Sequence, residues 1–224
     1  MIPPSNDLYM SRFRPRAVLF DMDNTLHDLR GARFAAADAL MAYYGVFGDL
    51  HFYSLNRNPP TLIEDAVSAY IADGVPADPE VCAWLYHTLE HACISSFDGI
   101  TDVLDALKKD GVKLAVISNA DPEDTEKRLA NLHLRPYFDA VITPDTFGIK
   151  KPNPLVFKKT LNLLGISAEE TAMIGDKKDR DVFPPRELGI FAIHALYGTL
   201  EKPDRECMVS KPLEILELLA VTRD

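Results

Sequence analysis

The sequence predicts an α/β protein: a doubly wound parallel sheet with an inserted small α-helical domain. Three observations predict it. Short apolar runs alternate with amphipathic, capped segments, the pattern of strand–helix units that build a parallel sheet covered on both faces. Two successive strand starts, Lys113 to Ala140 and Ala140 to Glu170, lie 27 and 30 residues apart, the length of one strand–helix–strand unit. The step from Asp23 to Lys113 is 90 residues, far too long for one crossover, so a separate unit is inserted after the first strand.

The elements follow in order. Residues 17–22 (AVLFDM) read as the first buried strand. The insert, 28–97, reads as wholly helical: ARFAAADALMAYY is rich in helix formers, TLIEDAVSAYIADG opens on a capping box (Thr61, Glu64) and stops at Gly74, and Asp78-Pro79 opens a further helix. Residues 1–27 and 98–224 then form the core domain. Gly99 to Lys109 is amphipathic and stops at Gly111; 113–118 is the second strand. Asp121-Pro122 and Asn153-Pro154 each place an N-cap before a proline at the first helical position, around a third strand at 140–143. Strands at 170–175 and 190–196 and a helix at 213–219 complete the core. The first 16 residues read as a loose tail without the apolar stretch of a secretory signal.

Composition narrows the partners. The 224 residues are 47% hydrophobic with a net charge of −10, an acidic balance that disfavours a nucleic acid polymer and an anionic membrane surface. No apolar run approaches the roughly 18 residues of a membrane span. Three cysteines, Cys82, Cys93 and Cys207, suit free thiols in a reducing compartment, and the cytoplasm is the expected location. A monomer or homodimer is expected.

Polar residues stand where the apolar runs end. The first strand closes on Asp21-Met22-Asp23-Asn24-Thr25, the second on Ser118-Asn119, and the fourth on Gly175-Asp176 with Asp181 beyond. The loop after the third strand carries GIKKPNP, with Lys151 directly before Pro152. Ligands of open α/β sheets bind at the carboxyl ends of the strands, so these groups should meet in one crevice. Asp21 and Asp23, two apart on an extended chain, point to the same side.

These four segments resemble, in order, the four signature motifs of the haloacid dehalogenase-like superfamily: DMDNT the nucleophile motif, VISN the second, KKPNP the lysine motif and IGDKKDRD the acidic fourth. The helical insert resembles that superfamily's type-1 cap. The resemblance implies a phosphatase that uses Mg²⁺ and acts on a small phosphorylated metabolite through an aspartyl-phosphate. Asp21 matches the nucleophile and Asp23 the general acid/base. Asp21, the backbone carbonyl of Asp23, and Asp176 match the metal ligands. Thr25, Ser118, Asn119 and Lys151 match the phosphate-binding set, Thr25 also pinning the loop; Lys150 is the rival of Lys151. Asp181 is expected to orient Lys151 or a metal-bound water. Physical chemistry agrees, because a carboxylate attacks a phosphate dianion only where cations and donors neutralise the phosphoryl oxygens.

Two departures from the pattern stand out. Lys177 follows Gly-Asp where a small hydroxyl is usual, and is expected to face solvent; Phe183-Pro184-Pro185 after Asp181 should delay the next helix. His27, Arg30, Arg33, Asn56 and Arg57 are the candidates for reading the leaving group. His87-Thr88-Leu89-Glu90-His91 matches the H-x-x-E-H pattern of inverted zinc peptidases, but no third ligand is evident and a solvated helix face is the plainer expectation. Trp84, Leu85 and Tyr86 should pack the insert. Three other readings remain: a phosphomutase sharing all four motifs, a non-catalytic regulatory module with the same fold, and a dehalogenase, which would lack the second acid that Asp23 supplies.

Overall fold

In a computed structural model of the chain, residues 13–44, 78–203 and 207–221 are described. The first strand, β1 (Ala17–Phe20), is buried at all four positions, as befits a central parallel strand covered on both faces. It pairs in parallel with β2 (Lys113–Ile117) on one side and β4 (Thr171–Gly175) on the other. With β3 (Ala140–Ile142), β5 (Phe191–Ala195) and β6 (Met208–Val209) the sheet order is β3-β2-β1-β4-β5-β6, every pairing parallel. The chain winds outward from β1 through β2 and β3, then returns to start again at β4. The reversal falls between β1 and β4, where such sheets open a crevice at their carboxyl edge.

Strand alternation divides the core in two. Val18, Phe20, Leu114, Val116, Ala172 and Ile174 point to one face, onto Ile100, Leu104 and Leu107 of the helix Ile100–Lys109 and Ile215 and Leu216 of the helix Glu214–Leu218. Ala17, Leu19, Ala115, Ile117 and Met173 point to the other, onto Val156, Phe157 and Leu161 of the helix Pro154–Leu164. The expected caps are in place. Asp121 Oδ1 accepts from the backbone of Glu123 at 2.9 Å, ahead of Pro122–Asn131, and Asn153 Oδ1 accepts from Leu155 at 3.0 Å.

Three differences from the sequence reading have local causes. β6 is two residues long, too short to carry a period. The stretch Lys178–Val182 is a wide π-type turn, which the linear pattern did not indicate, whereas the late start of the short helix Phe183–Glu187 is the delay expected from the prolines. The end of the supposed tail is attached: Phe13 packs on the core and its ring lies 4.8 Å from that of Phe191, while Arg16 pairs with Glu170 at the surface.

The chain divides into two compact units, residues 1–27 with 96–224, and 28–95. In the second, helices Leu29–Tyr43 and Pro79–Cys93 are described. Asp28 and Asp78 cap them by accepting from the backbone N–H groups of Gly31, Glu80 and Val81. Ala36, Leu40 and Tyr86 form their shared core, with Leu85 packed beside it. Trp84, expected in that core, is 66% exposed. The helix expected over 61–74, with Asn56 and Arg57, lies outside the described residues. Among the described residues no helix is long and apolar enough to cross a membrane.

Candidate active site

The site grows from the end of β1. The extended alternation continues past the strand: Met22 enters the core with Val18 and Phe20, which turns Asp21 and Asp23 to the opposite side. The chain then turns sharply at Asn24, whose φ is 60°, a left-handed value that Asn tolerates better than most residues. Thr25 and Leu26 close the turn by donating to the Met22 carbonyl at 3.2 and 2.9 Å. Thr25 Oγ1 donates to Asp21 Oδ2 at 3.3 Å, so it pins the loop by holding the first acid.

Lys151 arrives from the loop after β3. Its ammonium is buried between two carboxylates, 2.5 Å from Asp21 Oδ1 and 2.7 Å from Asp181 Oδ1. Burial alone would discharge it, but Asp181 and Asp21 beside it hold its pKa above the usual lysine value. Lys150 makes no such contact among those described. Asn119, expected to bind phosphate, commits its side chain elsewhere. Its Nδ2 donates to the Lys151 carbonyl and its Oδ1 accepts from the Lys151 N–H, each at 2.8 Å. Its amide therefore clamps the lysine loop to the end of β2. Ser118, beside it, is buried and accepts from Ala120 N at 3.1 Å.

Asp176 follows β4, next to β1 in the sheet. Both of its carboxylate oxygens are buried without a hydrogen bond. Its oxygens, those of Asp21 and those of Asp181 include atoms within 4.8 Å of one another, the one such group of three among the described residues. Burial, reinforced by Asp21 and Asp181, pushes the Asp176 pKa up to about 8; burial likewise pushes Asp21 up to about 6 against the pull of Lys151. Three acids are crowded out of water around the Lys151 ammonium, with Lys177 and Arg180 the other cations acting on Asp176, and all the acids' donors are hard oxygens. The residues therefore fit a divalent cation of the Mg²⁺ type. Asp181 is tied twice, to Lys151 and, through Oδ2, to the Lys177 N–H at 3.1 Å. A Cβ at Gly175 would meet Asp181 Cγ at 2.5 Å, so the glycine makes room for that approach.

Asp23 stands at the rim, its side chain 27% exposed. Arg128 Nη1 donates to its Oδ1 at 3.0 Å, and His27 Nε2 lies 3.1 Å from the same oxygen without hydrogen-bond alignment. His27, a candidate for substrate specificity, is instead fully buried in the core unit, where it bridges Asp23 and Ser96. Arg33 pairs with buried Glu90 at 2.9 Å inside the inserted unit, and Arg30 is half-buried at the start of its helix. Glu90 is thus engaged, and no third ligand joins the histidines of the zinc-like pattern among the described residues. Lys177 is a further correction. Rather than simply facing solvent, its ammonium lies 3.5 Å from Asp176 Oδ2 and 4.0 Å from Glu201 Oε1.

Four supporting residues carried no signal in the linear pattern. Arg128 reaches Asp23 across 105 positions. His194 Nε2 lies 3.0 Å from the Asp176 carbonyl; a carbonyl only accepts, so that nitrogen carries the proton. Tyr197 O–H donates to the Thr25 carbonyl at 3.1 Å, and its ring packs on Phe97. Gly198 lies so close to Asn24 that a Cβ there would run into the Asn24 carbonyl oxygen and come within 2.6 Å of its carbon.

Known proteins resemble the chain in sequence and in fold. The pattern of the haloacid dehalogenase-like hydrolases matches residues 18–195. Glyceraldehyde 3-phosphate phosphatase of Methanocaldococcus jannaschii is 30% identical over 195 residues, covering 82% of this chain and 86% of that protein. Phosphoglycolate phosphatase of Aquifex aeolicus is 32% identical over 219 residues, covering 91% and 96%. YfnB of Bacillus subtilis, solved bound to magnesium, superposes with a TM-score of 0.74 at 21% identity, over 93% of this chain and all of that one, a likeness of fold.

Proposed function

The chain belongs to the haloacid dehalogenase-like hydrolase family, and from that premise we propose that it is a Mg²⁺-dependent phosphatase of a small phosphorylated metabolite. The observation that carries the reading is the buried knot of Asp21, Lys151 and Asp181 beside the unbonded carboxylate of Asp176. The two relatives named above are phosphatases of two- and three-carbon phosphates, and we expect a substrate of similar size here.

Asp21 is the proposed nucleophile. Its carboxylate oxygen bonds phosphorus as the bond from phosphorus to the leaving oxygen breaks, and Asp23 gives its proton to that oxygen. The product leaves as an alcohol, with an acyl phosphate on Asp21 and a carboxylate at Asp23. Asp23 then takes a proton from a water whose oxygen bonds phosphorus; the bond from phosphorus to Asp21 breaks, phosphate leaves, and both acids return to their first state. Lys151 holds Asp21 and supplies positive charge to the phosphoryl group, and Ser118 offers a hydroxyl at the end of β2. Asp21, the Asp23 carbonyl and Asp176 would hold Mg²⁺, which supplies charge neutralisation at the phosphoryl oxygens. Asp181 keeps Lys151 in place. The inserted unit leaves the core after His27 and returns at Ser96.

The test is phosphate release from a panel of phosphorylated metabolites with Mg²⁺, beside the Asp21→Asn variant. Wild type should release inorganic phosphate without a bisphosphate activator, and Asp21→Asn should lose at least about 1,000-fold while remaining folded. Equal turnover by the variant would overturn the nucleophile assignment; return of the phosphoryl group to substrate would make the enzyme a mutase.

A further inference from the structure

We propose that Arg128 is a positioning residue for the acid–base step, acting through Asp23; the proposal builds on the phosphatase reading above. Arg128 lies near the end of the helix Pro122–Asn131, beside Leu129, which packs into the core. It is 4% exposed. A guanidinium withdrawn from water carries a large desolvation penalty unless a charge and hydrogen bonds compensate it. Its Nη1 donates to Asp23 Oδ1 on the reaction loop, 105 positions away, at 3.0 Å.

The surroundings of that oxygen make the contact directional. His27, with no exposed surface, stands 3.1 Å from the same Oδ1. One oxygen of Asp23 is thereby enclosed by two buried nitrogen-bearing side chains. A general acid must present its proton to a lone pair of the leaving oxygen, and a misplacement of about 1 Å costs about 100-fold. Arg128 orients Asp23 before substrate arrives. Thr25 and Lys151 do the same for Asp21, so each acid of the pair has its own support.

A structural tie and a positioning contact differ in what their loss does to chemistry. A tie holds the loop for every substrate alike. A positioning contact matters in proportion to the need for proton transfer, so its loss hurts most when the leaving oxygen is most basic. The experiment therefore measures kcat/KM with Mg²⁺ for p-nitrophenyl phosphate and phenyl phosphate, which differ in leaving-group basicity but little in shape. Arg128→Met should lower kcat/KM about threefold with the first and about 30-fold with the second, and Arg128→Lys should recover most of the second loss. Melting temperatures of both variants are read alongside. Should Arg128→Met not fold, the ratio between the two substrates in Arg128→Lys and Arg128→Gln carries the test. An equal loss on both substrates, or no loss, would overturn the proposal while leaving the phosphatase reading intact. Failure of wild type to hydrolyse either ester would instead overturn the phosphatase reading and this proposal with it.

Discussion

Replacing Lys151 by Met removes a charge and little else, since the two side chains are similar in length. The ammonium sits 2.5 Å from Asp21 and 2.7 Å from Asp181, with none of the lysine side chain exposed. Taking one partner from a buried ion pair costs about 3–5 kcal/mol, because the other charge is stranded. For a chain of this size 1 kcal/mol moves Tm by about 2–4 °C, so the metal-free variant should melt about 6–20 °C below wild type at pH 8. The stranded acids can relieve part of this by taking up protons. Asp21, already up to about 6 in the presence of Lys151, rises further without it. A carboxyl whose folded pKa is raised contributes stability that is full below its unfolded pKa and is lost as pH rises through the folded value. The deficit of the variant should therefore be largest at pH 8 and smaller at pH 5. Thermal unfolding in EDTA, followed by circular dichroism at both pH values, measures it. Adding Asp181→Asn removes one stranded charge and should recover part of the loss at pH 8. A Lys151→Met variant as stable as wild type at pH 8, a deficit that grows toward acid, or a double variant weaker than the single would refute the reasoning.

Two further outcomes follow from the same site. Asp176 and Asp21 have folded pKa values raised to about 8 and about 6, so the stability they contribute without metal is full below about pH 4 and is lost as pH climbs to 8. A cation held there restores what is lost, and saturating Mg²⁺ should raise Tm more at pH 8.5 than at pH 5.5; an increment that is equal or reversed would refute the placement of the metal. Gly198→Ala would drive a Cβ into the Asn24 carbonyl, and because backbone cannot move aside as a side chain can, it should cost about 1–3 kcal/mol and shift the turn that carries Asp23. Calorimetric unfolding checks the first effect, and at least a tenfold fall in kcat/KM on p-nitrophenyl phosphate the second.

The linear pattern reached what short-range chemistry writes into a chain. β1 is legible because both its faces are buried. The helices after Asp121 and Asn153 are legible because a cap and a proline mark their starts within three residues. Asp21, Ser118 and Asp176 are legible because each follows the end of a strand, and parallel strands deliver their carboxyl ends to one edge; Lys151, nine residues past β3, is legible only from its place directly before Pro152 in the lysine motif. β6 escaped because two residues have no period, and the wide turn at Lys178–Val182 because its shape answers to Asp181 and Gly175 together.

What the sequence determined by itself is thus the fold class and the order of the motifs, since those depend on neighbours a few residues away. Tertiary structure alone decided how these acids are held. Asn119 turned out to grip the lysine loop rather than offer its side chain to phosphate. His27 became buried beside Asp23, and Lys177 came to rest near Asp176. Arg128 and Tyr197 reached the site across 105 and 172 positions. No local propensity encodes such contacts. They exist because the winding of the sheet brings distant turns to one edge, where each buried polar group must find its partner in whatever the fold has placed beside it.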